Sequence, residues 1–180
     1  FLARAKHMLA LSAAQHALAD RAAWLAAEVE RATADIRSRE RETLMYLAKV
    51  AEYRDGTTSA HIQRMARYAQ LIAKGLGLDA AQQELLLDAS PMHDIGKVAI
   101  PDRILLKAGQ LEPDEFEVMK CHPTYGYELL RNSQSRVLQA GAEIAHSHHE
   151  KFDGSGYPQG LAGEAIPLSG RIVAVADVFD

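Results

Sequence analysis

Imidazoles and carboxylates recur in this sequence where a divalent cation could satisfy them. The pair His148 and His149 precedes a glycine-rich loop, and His93 is followed directly by Asp94. Adjacent imidazoles are costly to bury unless a cation or hydrogen bonds satisfy their nitrogens. Asp177 follows an apolar run in which an unpaired carboxylate would also be expensive. The full set of candidate ligands is His61, His93, Asp94, His122, His148, His149 and Asp177.

This ligand set indicates a metal-dependent hydrolase. Nitrogen and oxygen donors without thiolate suit Fe, Mn, Zn or Ni, and ligand type alone does not choose among these metals. A carboxylate directly after an imidazole, as in His93-Asp94, can bridge two cations. Two cations sharing one carboxylate would polarise a phosphoryl group and activate water near neutral pH. Each residue alone is more often structural, and only the combination favours a metal site.

Other polar residues near these ligands could act on a phosphate ester. Lys97, three residues after Asp94, could neutralise charge on phosphorus or protonate the leaving alkoxide, although a surface lysine is the alternative. The glycines after Asp153 let the backbone approach a ligand closely, and the ring of Tyr157 could stack on a base. Glu150 could orient a ligand imidazole or be a solvated carboxylate. The histidines His7, His16 and His146 are predicted to be bystanders, the first two facing solvent.

The composition limits the classes of protein that fit. The chain has 180 residues, 48% of them hydrophobic, which is enough for one core plus an appendage. A net charge of −4 argues against a surface for nucleic-acid polymers. The single cysteine, Cys121, fits a reducing compartment, and no apolar run reaches the roughly 20 residues of a membrane span. We therefore expect a cytoplasmic protein, and the start at Phe1 suggests a piece of a longer one.

Residues 1–50 contain no glycine or proline and predict one long helix. Apolar residues alternate at spacings of three and four, with Gln15 and Arg39 as imperfect positions. This heptad pattern is typical of a two-stranded coiled coil. A single amphipathic helix packed on its own domain is the alternative, and we prefer a parallel dimer stalk that carries a signal. The heptad positions are Leu11, Leu18, Leu25 and Ala32 in one set and Ala22, Val29, Ile36 and Thr43 in the other.

Residues 51–180 predict shorter helices separated by breakers, without a persistent strand pattern. Gly75 ends a helix that Thr58 caps, and Asp79 caps the next helix. Pro113 suits a first helical turn, and Ser135 or Asn132 could cap a helix that ends near His146. Residues 150–167 predict an ordered loop, and a last helix begins near Leu168. The fold class is therefore all-α, with a coiled-coil helix before a helical bundle.

Five separated motifs in this order resemble the HD-GYP domain, a bacterial subclass of HD phosphohydrolases that degrades cyclic di-GMP. The resemblance covers residues 50–180 and predicts a phosphodiesterase domain over residues 51–180. The motifs are Glu52-Tyr-Arg-Asp55-x-x-Thr58-x-x-His61-x-x-Arg64, His93-Asp94-Ile-Gly-Lys97, His122-x-x-x-Gly126, His148-His149-Glu-x-x-Asp153-Gly-x-Gly156-Tyr157-Pro158, and Arg171-Ile through Asp177-x-Phe-Asp180.

The resemblance implies a role for each matched residue. One metal ion would be held by His61, His93, Asp94 and Asp177, and a second by Asp94, His122, His148 and His149. Asp94 and Lys97 would be the catalytic residues. Fe or Mn is favoured, with Zn, Ni or Mg as other choices. The reaction would open cyclic di-GMP to linear pGpG, with further cleavage to GMP. The implied substrate contacts are Arg64, Asp153, Gly156, Tyr157, Pro158 and Arg171.

The resemblance also implies partners and two departures from the family. The Gly156-Tyr157-Pro158 loop is linked in the family to contacts with diguanylate cyclase (GGDEF) domains, and a sensor or receiver domain would precede the chain. Some members bind a third metal through a glutamate at the position of Thr57, so we expect two metals here. The family domain continues after Asp180 with basic residues that contact the ligand's phosphates.

Two other functions stay open. One is hydrolysis of a different cyclic dinucleotide, such as cyclic GMP-AMP. The other is a non-catalytic signalling module that docks partner proteins through the loop 153–158. A nucleotidase acting on mononucleotides is disfavoured by the second ligand cluster, His122, His148 and His149.

Overall fold

The computed structural model describes residues 2–54 and 59–180, and these residues form an all-α protein, as predicted. Short 3-10 helices cover Ser90–Met92, Ile95–Ala99 and Gly163–Ala165. Within the described ranges no strand forms, and only an isolated bridge joins Asp153 to Ala162. The α-helices are α1 (Leu2–Tyr53), α2 (Ser59–Gly75), α3 (Ala80–Ala89), α4 (Asp102–Leu105), α5 (Pro113–Met119), α6 (His122–Leu130), α7 (Arg136–Ser147) and α8 (Leu168–Phe179).

The chain divides into two compact units, Phe1–Glu42 and Thr43–Asp180. The first unit is part of the long helix α1, which confirms the prediction of one helix over this region. Its large apolar heptad residues are exposed: Leu11, Leu18, Leu25, Val29 and Ile36. His7 and His16 are exposed as well, as predicted. In the described part of the chain no helix, α1 included, combines the length and apolarity needed to cross a membrane.

Local signals set the ends of several helices in the second unit. The Asp79 carboxylate accepts a hydrogen bond from the Gln82 backbone N–H at 2.8 Å, and the Gln82 side chain accepts one from the Asp79 N–H at 3.0 Å. This reciprocal capping box fixes the start of α3. Helix α2 ends at Gly75 as predicted. The predicted cap Thr58 and the position Thr57 lie outside the described residues.

The core of the second unit holds together the helices that carry the candidate ligands. One cluster joins α2, α3, α7 and α8, and a second joins the end of α1 to α2, α6 and α7. Both clusters contain alanines, whose small side chains let the helix axes approach closely. The fully buried side chains include Ile62 and Met65 of α2, Ile144 of α7 and Val173 of α8. Burying each such large side chain contributes about 1.5–3 kcal/mol, so these helices have little freedom to shift.

Candidate metal centre

The seven predicted ligands come from five separate places in the second unit. His61 lies in the first turn of α2, and Asp177 lies in the last turn of α8. His93 and Asp94 lie between two 3-10 helices. His122 is the first residue of α6. His148 and His149 follow the last residue of α7 directly. Ligands at helix ends can turn into a common cleft while the helix bodies pack in the core.

Gly96 allows the His93-Asp94 segment to lie against the start of α6. A Cβ atom at Gly96 would be 2.0 Å from the His122 carbonyl oxygen and 2.4 Å from the Gly126 nitrogen. Both contacts are to backbone atoms, which cannot rotate away. Any larger residue at position 96 would therefore push His122 away from Asp94. This explains why the segment has glycine two residues after its carboxylate.

The two carboxylate oxygens of Asp94 face two different groups of side chains. Oδ1 lies 3.1 Å from the Nε2 of His122 and 3.5 Å from the Nε2 of His148. Oδ2 lies 3.3 Å from the Nε2 of His93 and 2.8 Å from the Nζ of Lys97. One carboxylate thus connects two groups of imidazoles, which is the geometry of a bridging ligand.

The backbone fixes which nitrogen of three imidazoles carries the proton. The Nδ1 of His122 lies 2.8 Å from the Met119 carbonyl oxygen, and the Nδ1 of His148 lies 3.0 Å from that of Ala145. The Nδ1 of His93 lies 3.1 Å from the carbonyl oxygen of Ser90, in the same way. A carbonyl oxygen only accepts hydrogen bonds, so each Nδ1 must be the donor. In the neutral imidazole, Nε2 then presents a lone pair.

Buried atoms without partners show that this donor set fits a divalent cation. The Nε2 atoms of His93, His122 and His148 and the Oδ1 of Asp94 are all buried, and none has a hydrogen-bond partner among the described residues. Unpaired buried polar groups are costly, and lone pairs that converge on an ionised carboxylate would repel it unless a proton or a divalent cation lay between them. Ligand atoms of Asp94, His122, His148 and His149 lie within 4.8 Å of one another.

A second group of possible ligands lies on the other side of Asp94. The Oδ1 of Asp177 is 3.3 Å from the Nε2 of His61 and 3.8 Å from that of His93. Ligand atoms of Glu52, His61 and His93 also lie within 4.8 Å of one another. Glu52 belongs to one of the matched motifs but is not among the ligands predicted from the sequence. No periodicity in the sequence distinguishes Glu52 from other glutamates of α1. The direction of its side chain is set by the packing of the last turn of α1.

Asp180 holds His61 and Arg64 in place. Its carboxylate accepts two hydrogen bonds from the Arg64 guanidinium, at 2.6 and 2.7 Å, and lies 2.7 Å from the Nδ1 of His61. The Arg64 hydrogen bonds and the His61 contact lower the pKa of Asp180 to about 2. An ionised Asp180 keeps the proton of His61 on Nδ1 and leaves its Nε2 facing Asp177. Arg64, predicted to contact substrate, therefore acts in this structure on the orientation of a candidate ligand.

Charge favours cations on both sides of Asp94. Burial alone would raise the pKa of Asp94, but His93 and the contacts of His122 and His148 hold it well below its usual range. Burial disfavours the charged form of His93, yet Asp94, Asp177 and Glu52 raise its pKa to about 9. Burial and the neighbouring imidazoles lower the pKa of His149 to about 2, so this ring is neutral. Burial raises the pKa of Glu52 to about 7.

Arg54 fixes the segment that follows Lys97. Its guanidinium donates to the carbonyl oxygen of Val98 at 2.6 Å and to that of Ile100 at 3.2 Å, and it also pairs with Asp102. These hydrogen bonds hold the end of the 3-10 helix that carries Lys97 against Arg54. The ammonium group of Lys97 is therefore held beside the bridging carboxylate by a constrained backbone.

Glu150 organises the loop after the histidine pair. Its two carboxylate oxygens accept hydrogen bonds from the backbone N–H groups of Gln159, at 2.7 Å, and Leu161, at 2.9 Å. The sequence suggested that Glu150 either orients a ligand imidazole or is a solvated carboxylate. These contacts with the loop backbone match neither role. Gly156 is required where the loop folds back, since a Cβ there would be 2.3 Å from the Lys151 nitrogen.

The loop places Tyr157 against the candidate ligands. Its ring stacks on His149 with centroids 4.7 Å apart and meets the edge of Phe116 at 6.5 Å. Lys120 lies over the ring of Phe116 at 5.3 Å and that of Tyr157 at 6.0 Å. Two aromatic rings and a cation thus border the site, an arrangement that suits a base and its phosphate. Tyr157 also buttresses His149.

The contacts of Asp94 with His93, Lys97, His122 and His148 do not involve the remaining predicted residues. Asp153 accepts hydrogen bonds from the N–H and hydroxyl of Ser155 and is exposed on the loop. Pro158 follows Tyr157 through a cis peptide bond. The Nε of Arg171 is buried and has no hydrogen-bond partner in the described ranges. His146 stacks on Tyr127 outside both ligand groups, as expected of a bystander.

Known proteins with similar sequences are cyclic dinucleotide phosphodiesterases. The cyclic di-GMP phosphodiesterase response regulator RpfG of Xanthomonas campestris is 52% identical over 178 residues, 99% of this chain and 47% of the relative. The 3'3'-cGAMP-specific phosphodiesterase 2 of Vibrio cholerae is 49% identical over 81% of this chain and 28% of the relative. A cyclic di-GMP phosphodiesterase of Thermotoga maritima is 52% identical over 77% and 38%.

This chain spans less than half the length of each of these three relatives. The HD domain family matches residues 45–180, which include every predicted metal ligand and the loop after His149. The bridging position of Asp94 and the imidazoles around it agree with that match. The chain therefore belongs to the HD domain family.

Proposed function

We propose that this chain is the catalytic domain of an HD-GYP phosphodiesterase that hydrolyses cyclic di-GMP. The observation that carries the proposal is the position of Asp94, whose Oδ1 faces His122 and His148 and whose Oδ2 faces His93. A ligand shared by two cations would hold them close together, as hydrolysis of a phosphodiester by two metal ions uses them. The similarity to phosphodiesterases of cyclic dinucleotides supports this choice of substrate.

The proposed ligand sets divide the site between two divalent cations. His61, His93, Asp94 and Asp177 would hold one ion, and Asp94, His122, His148 and His149 the other. When bound, divalent cations supply Lewis acidity toward a phosphoryl oxygen and lower the pKa of water. Imidazole and carboxylate donors suit Fe or Mn, with Zn, Ni or Mg as other candidates.

Other side chains would bind the dinucleotide and assist departure of the alkoxide. Lys97, beside Asp94, is in reach of a phosphate bound between the two ligand groups, and its ammonium could neutralise charge or donate a proton. Tyr157 and Phe116 offer ring faces for a base. Arg64, Asp153, Gly156, Pro158 and Arg171 remain predicted substrate contacts. The loop remains the predicted contact with GGDEF domains.

The direct test is incubation of the Mn²⁺- or Fe²⁺-loaded protein with cyclic di-GMP, followed by chromatography of the nucleotides. We expect linear pGpG, and GMP if the second bond is cleaved. Absence of product with either metal, from protein shown to contain metal, would exclude the proposed activity. Retained binding of a partner in that case would favour the non-catalytic module.

Hydrolysis of 3'3'-cyclic GMP-AMP is the second candidate function. It is favoured by the similarity to three 3'3'-cGAMP-specific phosphodiesterases of Vibrio cholerae, with identities of 49%, 42% and 38%. The two substrates differ in one base, so the bridging carboxylate does not distinguish them. Parallel assays with both dinucleotides, compared as kcat/KM, decide between the two functions.

We also propose that the heptad stripe of the first unit pairs with a second copy of the chain. Five large apolar side chains at coiled-coil spacing are exposed, which would be unfavourable for an isolated helix in water. The stripe would form a parallel dimer that transmits a signal from a preceding sensor or receiver domain.

Charges within the heptad stripe are expected to dissociate this dimer. In the Leu25→Glu and Val29→Glu double variant, buried like charges would weaken dimerisation by at least about 10-fold, as measured by analytical ultracentrifugation. The matched control, Ala13→Glu with Ala27→Glu, places the same charges on exposed positions outside the stripe and should leave the dimer intact. A wild-type chain that sediments as a monomer at all concentrations would contradict the coiled coil.

A further inference from the structure

Glu52 is a buried carboxylate that the proposed ligand sets do not use. It lies in the last turn of α1, and its side chain is almost completely enclosed, with 3% of the residue exposed. The neighbouring residues Ala48 and Ala51 are buried too, and Leu44 and Ala48 pack in the core cluster with Ile62 and Met92. The core therefore fixes this turn of α1, and Glu52 cannot rotate out to solvent without breaking that packing.

Among the residues that the structure describes, neither carboxylate oxygen of Glu52 has a partner. Oε1 and Oε2 are buried, and neither accepts a hydrogen bond from any residue that the structure describes. An ionised buried carboxylate without partners is strongly destabilising, so a group at such a position either stays protonated or binds a cation. No lysine or arginine side chain pairs with Glu52 in the described ranges.

The groups nearest to Glu52 are candidate ligands. One ligand atom each of Glu52, His61 and His93 lies within 4.8 Å of the others, which is the spread expected of donors around one ion. The Nε2 of His93 is also unpaired, and the Oδ1 of Asp177 approaches both imidazoles. Unpaired oxygens of Glu52 and unpaired nitrogen of His93 would face the same ion.

We propose that Glu52 is a further carboxylate of the metal centre, bound to or directly facing the ion held by His61 and His93. This inference rests on the proposed metal-dependent function and adds one residue to the proposed metal centre. A third carboxylate beside Asp94 and Asp177 makes this side of the centre more anionic than the side of His122, His148 and His149. It would raise the affinity of this position for a hard divalent cation such as Mn²⁺.

The test compares Mn²⁺ binding by the full-length protein and its Glu52→Gln variant. We expect the variant to bind one of the two ions at least about 10-fold more weakly, by titration calorimetry and by metal content after dialysis. The metal-free variant should remain folded, because the amide has the shape of the carboxyl group that it replaces. The rise in melting temperature on adding Mn²⁺ should be smaller than in the wild type.

Two further variants keep the test decisive. Glu52→Asp retains the charge on a shorter side chain and should recover part of the affinity, and it replaces Glu52→Gln if that variant does not fold. Glu42→Gln, an exposed glutamate of the same helix, should bind Mn²⁺ like the wild type. Unchanged Mn²⁺ affinity in Glu52→Gln would overturn the inference.

The wild type separates this inference from the proposed function. Metal binding that depends on Glu52, in a wild-type protein that does not hydrolyse cyclic di-GMP, would support the inference and overturn the proposed function. Hydrolysis by the wild type, with full metal content in Glu52→Gln, would overturn the inference alone.

Discussion

Replacement of Asp94 by asparagine is expected to release metal from both sides of the centre. The amide keeps the shape of the carboxylate but removes the charge that faces His93 on one side and His122 and His148 on the other. Loss of a residue that merely orients a ligand lowers metal affinity by about 10–100-fold. A shared ligand should cost more, so we expect metal affinity and phosphodiesterase activity to fall by more than about 100-fold. Elemental analysis and nucleotide chromatography measure the two effects.

The pattern across variants distinguishes a bridging carboxylate from an ordinary ligand. Asp177→Asn should weaken the binding of one ion and leave that of the second unchanged, because the imidazoles that Asp177 contacts in the described part of the chain are those of His61 and His93. Asp114→Asn, an exposed residue in the first turn of α5, serves as the control and should bind metal like the wild type. An Asp94→Asn variant that still holds two ions would contradict the bridging role.

Replacement of Lys97 by methionine is expected to reduce turnover without removing metal. Methionine fills similar space but provides neither charge nor proton. General acid catalysis typically contributes 10²–10⁴-fold, so kcat for cyclic di-GMP should fall by about that factor. The Lys97 ammonium lies 2.8 Å from the Asp94 carboxylate, so its removal takes away a competing cation and should not lower metal content. Steady-state kinetics on metal-loaded protein measures the change.

A lysine outside the site provides the control for this experiment. Lys74→Met, in the exposed last turn of α2, should retain the wild-type kcat. A Lys97→Met variant that loses its metal ions would indicate that the lysine stabilises the centre rather than the reaction. A variant with unchanged kcat would exclude Lys97 from catalysis.

Much of the helical fold could be predicted from local sequence because the signals involved are local. The absence of glycine and proline in residues 1–50 predicts the long helix, which the structure extends to Tyr53. Asp79 with Gln82, Gly75 and Pro113 mark helix ends through contacts within one turn. The order of motifs identified the family, which the match over residues 45–180 confirms.

Arrangement around the site could not be predicted from spacing. Asp94 and His122 are separated by a helix-containing segment, yet their side chains lie 3.1 Å apart because Gly96 lets the backbones touch. The contact of Arg64 with Asp180, 116 positions along the chain, could not be predicted from the motif that contains Arg64. Contacts between residues so far apart in the sequence depend on how the helices pack, and no local sequence pattern predicts them.

The sequence by itself determined the helices, the heptad stripe and the types of residue able to bind metal, since these follow from periodicity, breakers and side-chain chemistry. Only the tertiary structure decided that the two oxygens of Asp94 serve different groups, that Glu150 ties the loop, and that Glu52 turns inward without a partner. The physical reason is that direction and burial of a side chain are set by packing between distant helices. Any face of a helix could in principle be buried, and packing against the core determines which face is buried.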